Sequence, residues 1–371
     1  MINNKKIMMI ATTDNMIWQF LIPHIKHLQS MGNTVECVCS KTGFWFDELR
    51  DKFGFTMHEI DFARSPLKPK NLKSYKQLVQ LQKAEKFDLI YCQQPVGGLM
   101  GRLIGKKFKL PVIYTAHGFH FLKGNSKLKN FAFKTIEKWL AKYTDILITI
   151  NEEDFEASKN WKATHKFKIP GIGFDANKYD NAEFDKIEFK RSLGLNEDDF
   201  VVLTVAEFIK RKNYTTSLKT IAELKNKNIK YLICGRGNCE DEIKQQIKDL
   251  GIEDKVIMLG YRKDINKIMQ ISDTFFLPSN QEGLCLSIIE ALNYGLPIIT
   301  SNVRGCQDLV EEGKNGFIAD KNDYIKYAEY INQLSTKDEL YNQMAEYSKQ
   351  LAPTYSIDNV KRVLEDIYNN I

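Results

Sequence analysis

Short apolar runs rich in β-branched residues alternate along this chain with helix-length segments, and this alternation constrains the fold more than any other feature. The runs are apolar on both faces, which is typical of strands in a parallel sheet covered by helices. They occur in two consecutive sets, which predicts two doubly wound α/β domains. The predicted strands are Lys6–Thr12, Thr34–Cys39, Asp88–Cys92, Pro111–Thr115 and Asp145–Ile150 in the first set, and Phe200–Ala206, Lys230–Gly235, Lys255–Gly260, Asp273–Pro278 and Pro297–Ser301 in the second. Helices are predicted at Asn71–Lys86, Lys127–Tyr143 and Tyr214–Lys227.

The length of 371 residues supports the same division. A chain of this size exceeds one ordinary hydrophobic core, and two domains of roughly 150–200 residues are expected. The boundary is expected in the loop at Ile169–Asp180, which contains Pro170 and Gly171. We predict an N-terminal domain at residues 1–170, a second domain at 171–355, and a last helix at 356–371 that crosses back to the first. Because ligands of such sheets bind beyond the carboxyl ends of the strands, the expected active site is the cleft between two facing domains.

Composition excludes several classes of protein. No stretch is apolar over the roughly 18 residues that a membrane-spanning helix needs. The run Ile7–Ala11 is too short for a signal-peptide core and fits a first buried strand. The seven cysteines are scattered without a CxxC pair, which predicts a reduced cytoplasmic protein rather than a disulfide or zinc framework.

The charge is unevenly distributed. Residues 1–165 carry 25 Lys and Arg against 15 Asp and Glu, a net charge of +10, whereas the remainder carries 28 against 32, a net charge of −4. A basic N-terminal half fits an anionic partner, such as phosphates, a membrane surface or nucleic acid, and it equally fits a solvated lysine-rich surface. The segment Lys123–Lys142 combines six lysines with aromatic and aliphatic residues. This favours an interfacial helix on anionic lipid, with a core-packed helix as the alternative.

The segment Pro278–Leu292 follows the fourth predicted strand of the second set. A helix is expected to begin near Leu286 or Ser287, and Gly295 marks its end. The free N–H groups at the helix start, together with the helix dipole, form a site for an anion. Gly283 lets the backbone approach such a ligand closely.

Charged residues surround this expected phosphate site. Glu282 lies in the loop before the helix and Glu290 about one turn inside it. Both carboxylates can therefore accept hydrogen bonds from the hydroxyl groups of sugars on either side of the phosphate. Arg211 and Lys212 follow the first strand of the second set, where two cations would neutralise a leaving diphosphate. The alternatives are that Glu282 is an ordinary surface glutamate, that Glu290 is an ordinary helix glutamate, and that Arg211 and Lys212 belong to a solvated basic loop.

These motifs together resemble the family 4 retaining glycosyltransferases of the GT-B fold, most closely the bacterial capsular and exopolysaccharide branch. The resemblance covers nearly the whole chain. It implies two Rossmann-like domains, the first binding the acceptor and the second the nucleotide-sugar donor. The motifs follow the family's order and lie at Tyr114–Phe121, Ile169–Asp175, Arg211–Asn213, Leu259–Ile265, Glu282–Leu292 and Asn302–Leu309.

The resemblance implies roles for the residues of the second domain. Glu290 is expected to hold the ribose, and Glu282 to contact hydroxyls of the donor sugar. The family usually carries an Arg five positions before the Lys, but Glu207 stands there, so we assign the phosphate role to Arg211 beside Lys212. The other expected donor-binding residues of this segment are Gly283, Leu284, Cys285, Leu286 and Ser287.

Further roles fall outside that segment. The resemblance places His117 at the donor sugar, near the anomeric carbon, through either its side chain or its backbone carbonyl. We expect it to orient the sugar and stabilise charge without a covalent step, and the alternative is a hydrogen-bonded structural histidine. The implied reaction is a same-face internal return in which the leaving phosphate accepts the acceptor's proton. Tyr261 and Arg262 are expected to frame the nucleotide base, mostly through backbone contacts. No DxD motif or cluster with metal-ligand spacing is found in the sequence, so we expect no metal and no cofactor.

Two glycine-rich segments have a structural interpretation. Gly235-Arg236-Gly237 lacks the third glycine of a dinucleotide fingerprint, because Glu240 stands there, and it predicts a tight loop near the base. The glycines of Gln94–Gly101 open a helix and are expected to allow close packing of that helix on the sheet.

The expected function is transfer of a hexosyl or N-acetylhexosaminyl group from a UDP-sugar to a polyprenyl-diphosphate-linked or oligosaccharide acceptor in capsule or exopolysaccharide synthesis. The expected location is the cytoplasm, with peripheral contact at the inner face of the membrane through the basic N-terminal domain. A sugar-nucleotide 2-epimerase of the same architecture is one alternative. A basic nucleic-acid-binding protein is another, but the aromatic residues that single strands require are sparse, so no nucleic-acid partner is expected.

Overall fold

A computed structural model describes residues 2–43, 45–63, 68–121, 125–176 and 183–371. The chain forms two compact units, Met1–Gly173 with Ile357–Ile371, and Phe174–Ser356. The boundary therefore falls at residues 173–174 instead of 170–171, and the last helix belongs to the first unit. Residues 177–180 of the predicted boundary loop lie outside the described residues.

The first unit is built on a seven-stranded parallel sheet. Its strands are β1 (Lys6–Thr13), β2 (Thr34–Ser40), β3 (Thr56–Glu59), β4 (Leu89–Gln93), β5 (Val112–Ala116), β6 (Ile146–Thr149) and β7 (His165–Lys168). They lie in the order β3-β2-β1-β4-β5-β6-β7. The helices are α1 (Asp14–Met16), a π-helical turn (Ile17–Leu21), α2 (Ile22–Ser30), α3 (Trp45–Phe53), α4 (Lys70–Glu85), α5 (Gln94–Phe108), α6 (Lys127–Ala141) and α7 (Glu152–Ser158).

The second unit contains a six-stranded parallel sheet in the doubly wound order. Its helices are α8 (Lys186–Ser192), α9 (Tyr214–Glu223), α10 (Glu240–Leu250), α11 (Ile265–Gln270), α12 (Leu286–Asn293), α13 (Tyr324–Thr336) and α14 (Asp338–Leu351), with 3₁₀ turns at Lys210–Lys212, Gln307–Leu309 and Ala352–Tyr355. Its strands are β8 (Phe200–Val205), β9 (Ile229–Cys234), β10 (Val256–Gly260), β11 (Thr274–Leu277), β12 (Ile298–Ser301) and β13 (Gly316–Ala319). They lie in the order β10-β9-β8-β11-β12-β13. The predicted α/β class is confirmed in both units.

The last helix, α15 (Ile357–Tyr368), packs within the first unit. The Tyr368 ring meets the Tyr91 ring edge-on, with 6.1 Å between the ring centroids. Gly173 has a positive φ of 84°, and a Cβ there would come within 2.7 Å of the Ile357 Cα. Glycine is therefore needed where the chain passes beside this helix.

Helix α5 lies unusually close to the sheet because its glycines remove side chains from the contact. A Cβ on Gly98 would lie 2.3 Å from the Tyr114 ring, and one on Gly101 would lie 2.7 Å from the Cys92 Cβ. The packing role predicted for these glycines is confirmed. The same helix carries Arg102, which is fully buried and whose Nη2 atom lies 2.8 Å from a carboxylate oxygen of Glu137 on α6.

All seven cysteines are buried and none is in a disulfide. Among the residues that the structure describes, no helix is both long enough and apolar enough to cross a membrane.

Candidate functional site

The second unit brings its predicted charged residues together at the point where the strand order reverses. Strands β8 and β11 are neighbours and run parallel, so their carboxyl ends lie side by side. Lys210–Lys212 forms a turn after β8, and the loop with Glu282 follows β11. Ligands of doubly wound sheets bind at such a switch point, because the loops after the two strands leave towards opposite faces of the sheet and open a crevice.

Glu282 is the centre of a cluster of hydrogen bonds. One of its carboxylate oxygens, Oε1, accepts from Lys212 Nζ at 2.7 Å and from Ser279 Oγ at 2.8 Å. The other, Oε2, accepts from Arg211 Nη1 at 2.8 Å. The Glu282 residue is only 5% exposed, so the carboxylate depends on these partners rather than on water.

The two cations of the cluster differ in exposure. The side chain of Lys212 is 10% exposed and that of Arg211 is 38% exposed. Burial alone would lower the pKa of Lys212, but attraction by the neighbouring Cys285 and Glu282 outweighs burial and raises the pKa. Lys212 is thus a buried cation with a matched counter-charge, whereas Arg211 reaches solvent.

Hydrogen bonds to backbone oxygens connect the loops of the site. Asn280 N donates to the Arg211 backbone oxygen at 2.8 Å. Asn213 adopts a left-handed conformation and its Nδ2 donates to the Pro278 backbone oxygen at 2.9 Å. Arg304, which is buried, approaches the Glu282 backbone oxygen through Nε at 3.4 Å.

Ser279 and Arg304 are residues of this site that we did not predict. Each lies within or beside a motif that carries the family resemblance, but neither residue type by itself indicates a contact with Glu282. All three side chains form one ion-paired cluster, which we did not predict. The expected division of labour, with the cations on the diphosphate and Glu282 on the sugar, stays a prediction.

Helix α12 begins at Leu286, as predicted, and is preceded by Cys285. A close approach of two loops shapes its N-terminus, since a Cβ on Gly305 would lie 2.4 Å from the Gly283 backbone oxygen. Gly305 has a positive φ of 75°, so it is needed both for its conformation and for its size. Of the other predicted donor-binding residues here, Leu284 and Leu286 pack partly against the core and Ser287 lies beside the Cys285 thiol at 3.4 Å.

Glu290 is the fifth residue of α12 and is partly buried. Burial raises the pKa of Tyr294, one turn further along, and the negative charge of Glu290 raises it further. The ribose contact predicted for Glu290 stays a prediction.

The loops after β9 and β10 contain the residues predicted to frame the base. Tyr261 is 62% exposed, and the Arg236 guanidinium lies 4.7 Å from the centre of its ring. Arg262 is paired with Asp264, with Nε 2.8 Å from Oδ1. Gly235 N donates to the Gly260 backbone oxygen at 2.8 Å, which joins the end of β9 to the end of β10. The tight loop predicted near the base stays a prediction.

His117 belongs to the first unit and directly follows β5. Gly118 after it has a φ of 120°, so the chain turns sharply there. The Nε2 atom of His117 lies 2.7 Å from Oε1 of Gln93. Burial, with a further contribution from His24, lowers the pKa of His117 to about 3, so its ring is neutral at physiological pH.

The basic segment Lys123–Lys142 largely coincides with α6; residues 123 and 124 lie outside the described residues. Within α6 only Glu137, Leu140 and Ala141 are buried. Two large apolar side chains are exposed, Leu128 at 79% and Phe131 at 71%. In the described part of the chain, no group of three or more His, Cys, Asp or Glu side chains is arranged to hold a metal ion.

Two doubly wound units, the second with a cationic cluster at its switch point, define the GT-B fold class. Residues 6–151 match the family described as glycosyl transferase 4-like, and residues 185–351 match glycosyl transferases group 1. The chain is 31% identical to EpsD of Bacillus subtilis, which is named a glycosyltransferase, over 98% of this chain and 96% of that protein. It is 32% identical to the UDP-Gal:alpha-D-GlcNAc-diphosphoundecaprenol alpha-1,3-galactosyltransferase of Escherichia coli, over 90% of this chain and 88% of that protein. The chain therefore belongs to this family of glycosyltransferases, and the resemblance drawn from its motifs is confirmed.

Solved structures agree with the fold. HepE of Anabaena in complex with UDP has a TM-score of 0.84 at 20% identity, covering 99% of this chain and 100% of that chain. A glycosyltransferase of Rickettsia africae has a TM-score of 0.79 at 17% identity, covering 99% of this chain and 98% of that chain. These likenesses support the GT-B fold predicted from the sequence.

Proposed function

We propose that this glycosyltransferase moves a sugar from a UDP-sugar to a lipid-linked acceptor, with retention of the anomeric configuration. The observation that carries the proposal is the cluster of Arg211, Lys212 and Glu282 at the switch point of the second unit. Two cations against one carboxylate leave a net positive charge beside the N-terminus of α12, where a diphosphate is stabilised electrostatically. The Escherichia coli relative, whose name states a UDP-galactose donor, supports the choice of nucleotide.

In this proposal, the cations replace a metal ion at the leaving group. Arg211 is the more exposed of the two and approaches the diphosphate directly. Lys212 is held in place by Glu282, which fixes the position of the positive charge before the donor binds. Charge that is already positioned costs no reorganisation during the reaction, and this is what makes electrostatic stabilisation effective.

The acceptor class is inferred from the relatives. The Escherichia coli enzyme acts, by its name, on a diphosphoundecaprenol-linked sugar. A Campylobacter jejuni relative, 25% identical over 96% of each chain, is named as acting on a diphospho-undecaprenol-linked sugar as well. A Staphylococcus aureus relative is named for capsular polysaccharide biosynthesis. We infer a polyprenyl-diphosphate-linked acceptor in the assembly of a surface polysaccharide.

A lipid-linked acceptor requires the enzyme to work at a membrane surface, and α6 offers a suitable contact. Its exposed face combines Leu128, Phe131 and Trp139 with lysines. Apolar side chains flanked by lysines insert at the boundary of an anionic bilayer. The proposed location is the cytoplasm, at the inner face of the membrane.

The donor site is tested by titrating UDP into the enzyme in a calorimeter. Lys212→Ala and Glu290→Ala are expected to weaken UDP binding by about tenfold or more, which corresponds to one charge-assisted hydrogen bond. Lys210→Ala is the matched control, because Lys210 belongs to the same turn but is exposed. Unchanged affinity in both site variants would refute the assignment of the site.

Incubation with a UDP-sugar and no acceptor separates a transferase from a 2-epimerase, since only the epimerase converts the sugar.

The membrane contact is tested by flotation with lipid vesicles. The protein is expected to float with vesicles of phosphatidylglycerol and not with phosphatidylcholine, and the double variant Leu128→Ser, Phe131→Ser is expected to stay at the bottom of the gradient. Leu72→Ser is the control, since Leu72 is an apolar residue that is 63% exposed on α4. Flotation that is indifferent to the double variant would exclude α6 as the contact.

A further inference from the structure

His117 has one side-chain partner whose position is fixed by the sheet. Gln93 is the last residue of β4, and His117 follows β5, the neighbouring strand. The two strands pair in parallel register with Gln93 opposite Thr115. The Gln93 side chain reaches the imidazole between the ends of these strands, and its Oε1 lies 2.7 Å from Nε2 of His117. Gln93 is only 2% exposed, so water does not compete for this contact.

The surroundings of Gln93 determine which way its amide points. On the nitrogen side, Nε2 approaches the Met9 sulfur at 3.7 Å. The Tyr91 hydroxyl accepts a hydrogen bond from Thr115 Oγ1 at 3.2 Å. A sulfur atom is a weak acceptor and not a donor when it belongs to methionine, so the NH₂ group fits that side. The carbonyl oxygen of the amide is left to face the histidine.

This orientation fixes the proton on the imidazole. A carbonyl oxygen only accepts hydrogen bonds, so the His117 nitrogen that faces it must carry the proton. The ring is neutral, and a neutral imidazole has one protonated and one unprotonated nitrogen. Since Nε2 carries the proton, Nδ1 has the free lone pair. The residue His117 as a whole is partly exposed.

We propose that Gln93 is a positioning residue that holds His117 as the Nε2–H tautomer and thereby presents Nδ1 as an acceptor for a hydroxyl group of the substrate sugar. The sugar part of this inference rests on the proposed function, whereas the tautomer part concerns the free enzyme. Gln93 thus acts through His117 and not by touching substrate.

The tautomer is read directly from nitrogen-15 NMR spectra of the full-length enzyme labelled at its six histidines. The signal of His117 is assigned by its loss in His117→Asn. The free wild-type enzyme is expected to show a protonated Nε2 and an unprotonated Nδ1. Gln93→Glu keeps an acceptor at the same place and is expected to keep the tautomer, whereas Gln93→Leu is expected to give a mixture of the two.

The matched control is Gln82→Leu. Gln82 is also buried in the first unit, and its Nε2 donates to the Phe87 backbone oxygen at 3.0 Å, away from His117. It removes the same type of amide and should leave the His117 signals unchanged. A wild-type spectrum with the proton on Nδ1, or a Gln93→Leu spectrum identical to that of the wild type, would overturn the proposal.

A second measurement connects the tautomer to the substrate. UDP and the UDP-sugar that most raises the melting temperature are compared as ligands. Gln93→Leu should weaken binding of the UDP-sugar on the order of tenfold while leaving UDP unaffected, and Gln93→Glu should restore part of the loss. Equal weakening of both ligands would refute the role at the sugar. Absence of UDP binding in the wild-type enzyme would instead contradict the proposed function and leave the NMR result standing.

Discussion

Removal of the Glu282 carboxylate tests the buried cluster most directly. In Glu282→Leu a side chain of similar size replaces the carboxylate, and Lys212, which is 10% exposed, loses its counter-charge. Breaking a buried ion pair by removing one partner costs about 3–5 kcal/mol. For a unit of this size, that corresponds to a fall in melting temperature of roughly 6–20 °C, at about 2–4 °C per kcal/mol.

A double variant that removes both charges of the buried pair completes a double-mutant cycle. In the double variant Glu282→Leu, Lys212→Met no buried cation is left unpaired, so most of the lost stability should return. A residual cost of about 1–3 kcal/mol is expected, because the Ser279 hydroxyl loses the acceptor that it contacts at 2.8 Å. The single variant Arg211→Ala should cost at most about 1 kcal/mol, because that side chain is 38% exposed and its charge is screened by water.

The assay is urea unfolding of the full chain followed by circular dichroism. Fluorescence of tryptophan does not serve here, since all four tryptophans, at positions 18, 45, 139 and 161, lie in the first unit. Two results would refute the reasoning. One is a Glu282→Leu variant within about 1 kcal/mol of the wild type. The other is a double variant whose cost equals the sum of the costs measured for Glu282→Leu alone and Lys212→Met alone.

Three further predictions concern the first unit. Burial lowers the pKa of His24 from 6.5 to about 4, so below pH 6.5 the unfolded chain binds a proton that the folded chain does not. The free energy of unfolding therefore falls as the pH drops, by about 2 kcal/mol at pH 5. Urea unfolding of His24→Gln at pH 7 and pH 5 should show this loss removed. Gly98→Ala should cost about 1–3 kcal/mol in thermal unfolding because its Cβ meets an aromatic ring at 2.3 Å, whereas Gly43→Ala, with open space around it, should stay within about 0.5 kcal/mol. Arg102→Met should cost about 3–5 kcal/mol by leaving Glu137 buried and unpaired, and adding Glu137→Leu should recover most of that loss in the same assay.

The parts of the fold that were predicted are those where the sequence pattern is strong. The ten predicted strands are present with each boundary within one residue of the prediction, because buried strands in parallel sheets are continuous apolar runs. Three observed strands are not among the ten. Strand β3, with the sequence Thr-Met-His-Glu, and strand β7, with the sequence His-Lys-Phe-Lys, are largely polar and lie at the two edges of the first sheet. Strand β13 was also missed, because Gly316 at its start follows a turn-like Lys-Asn pair.

The candidate site was predicted as a list of residues but not as a cluster. Lys212 and Glu282 are 70 positions apart, so no local pattern links them. The link comes from the strand order, which places the first and fourth strands of a doubly wound sheet beside each other. Combining that order with the two loops would have predicted the contact. The amide of Gln93 beside His117 follows from the same principle in the first unit, where β4 and β5 are neighbours.

The exposure of the two cations also separates their roles. A diphosphate that approaches from solvent meets Arg211 first, because Lys212 is nearly covered and its Nζ is 2.7 Å from the Glu282 carboxylate. Full displacement of Glu282 from Lys212 would leave a buried carboxylate with fewer partners, and that costs several kcal/mol. The cluster therefore favours a donor that binds to Arg211 without displacing Glu282 from Lys212. In the proposed function, Arg211 supplies the charge that the ligand touches, and Glu282, which pairs with both cations, keeps them in place.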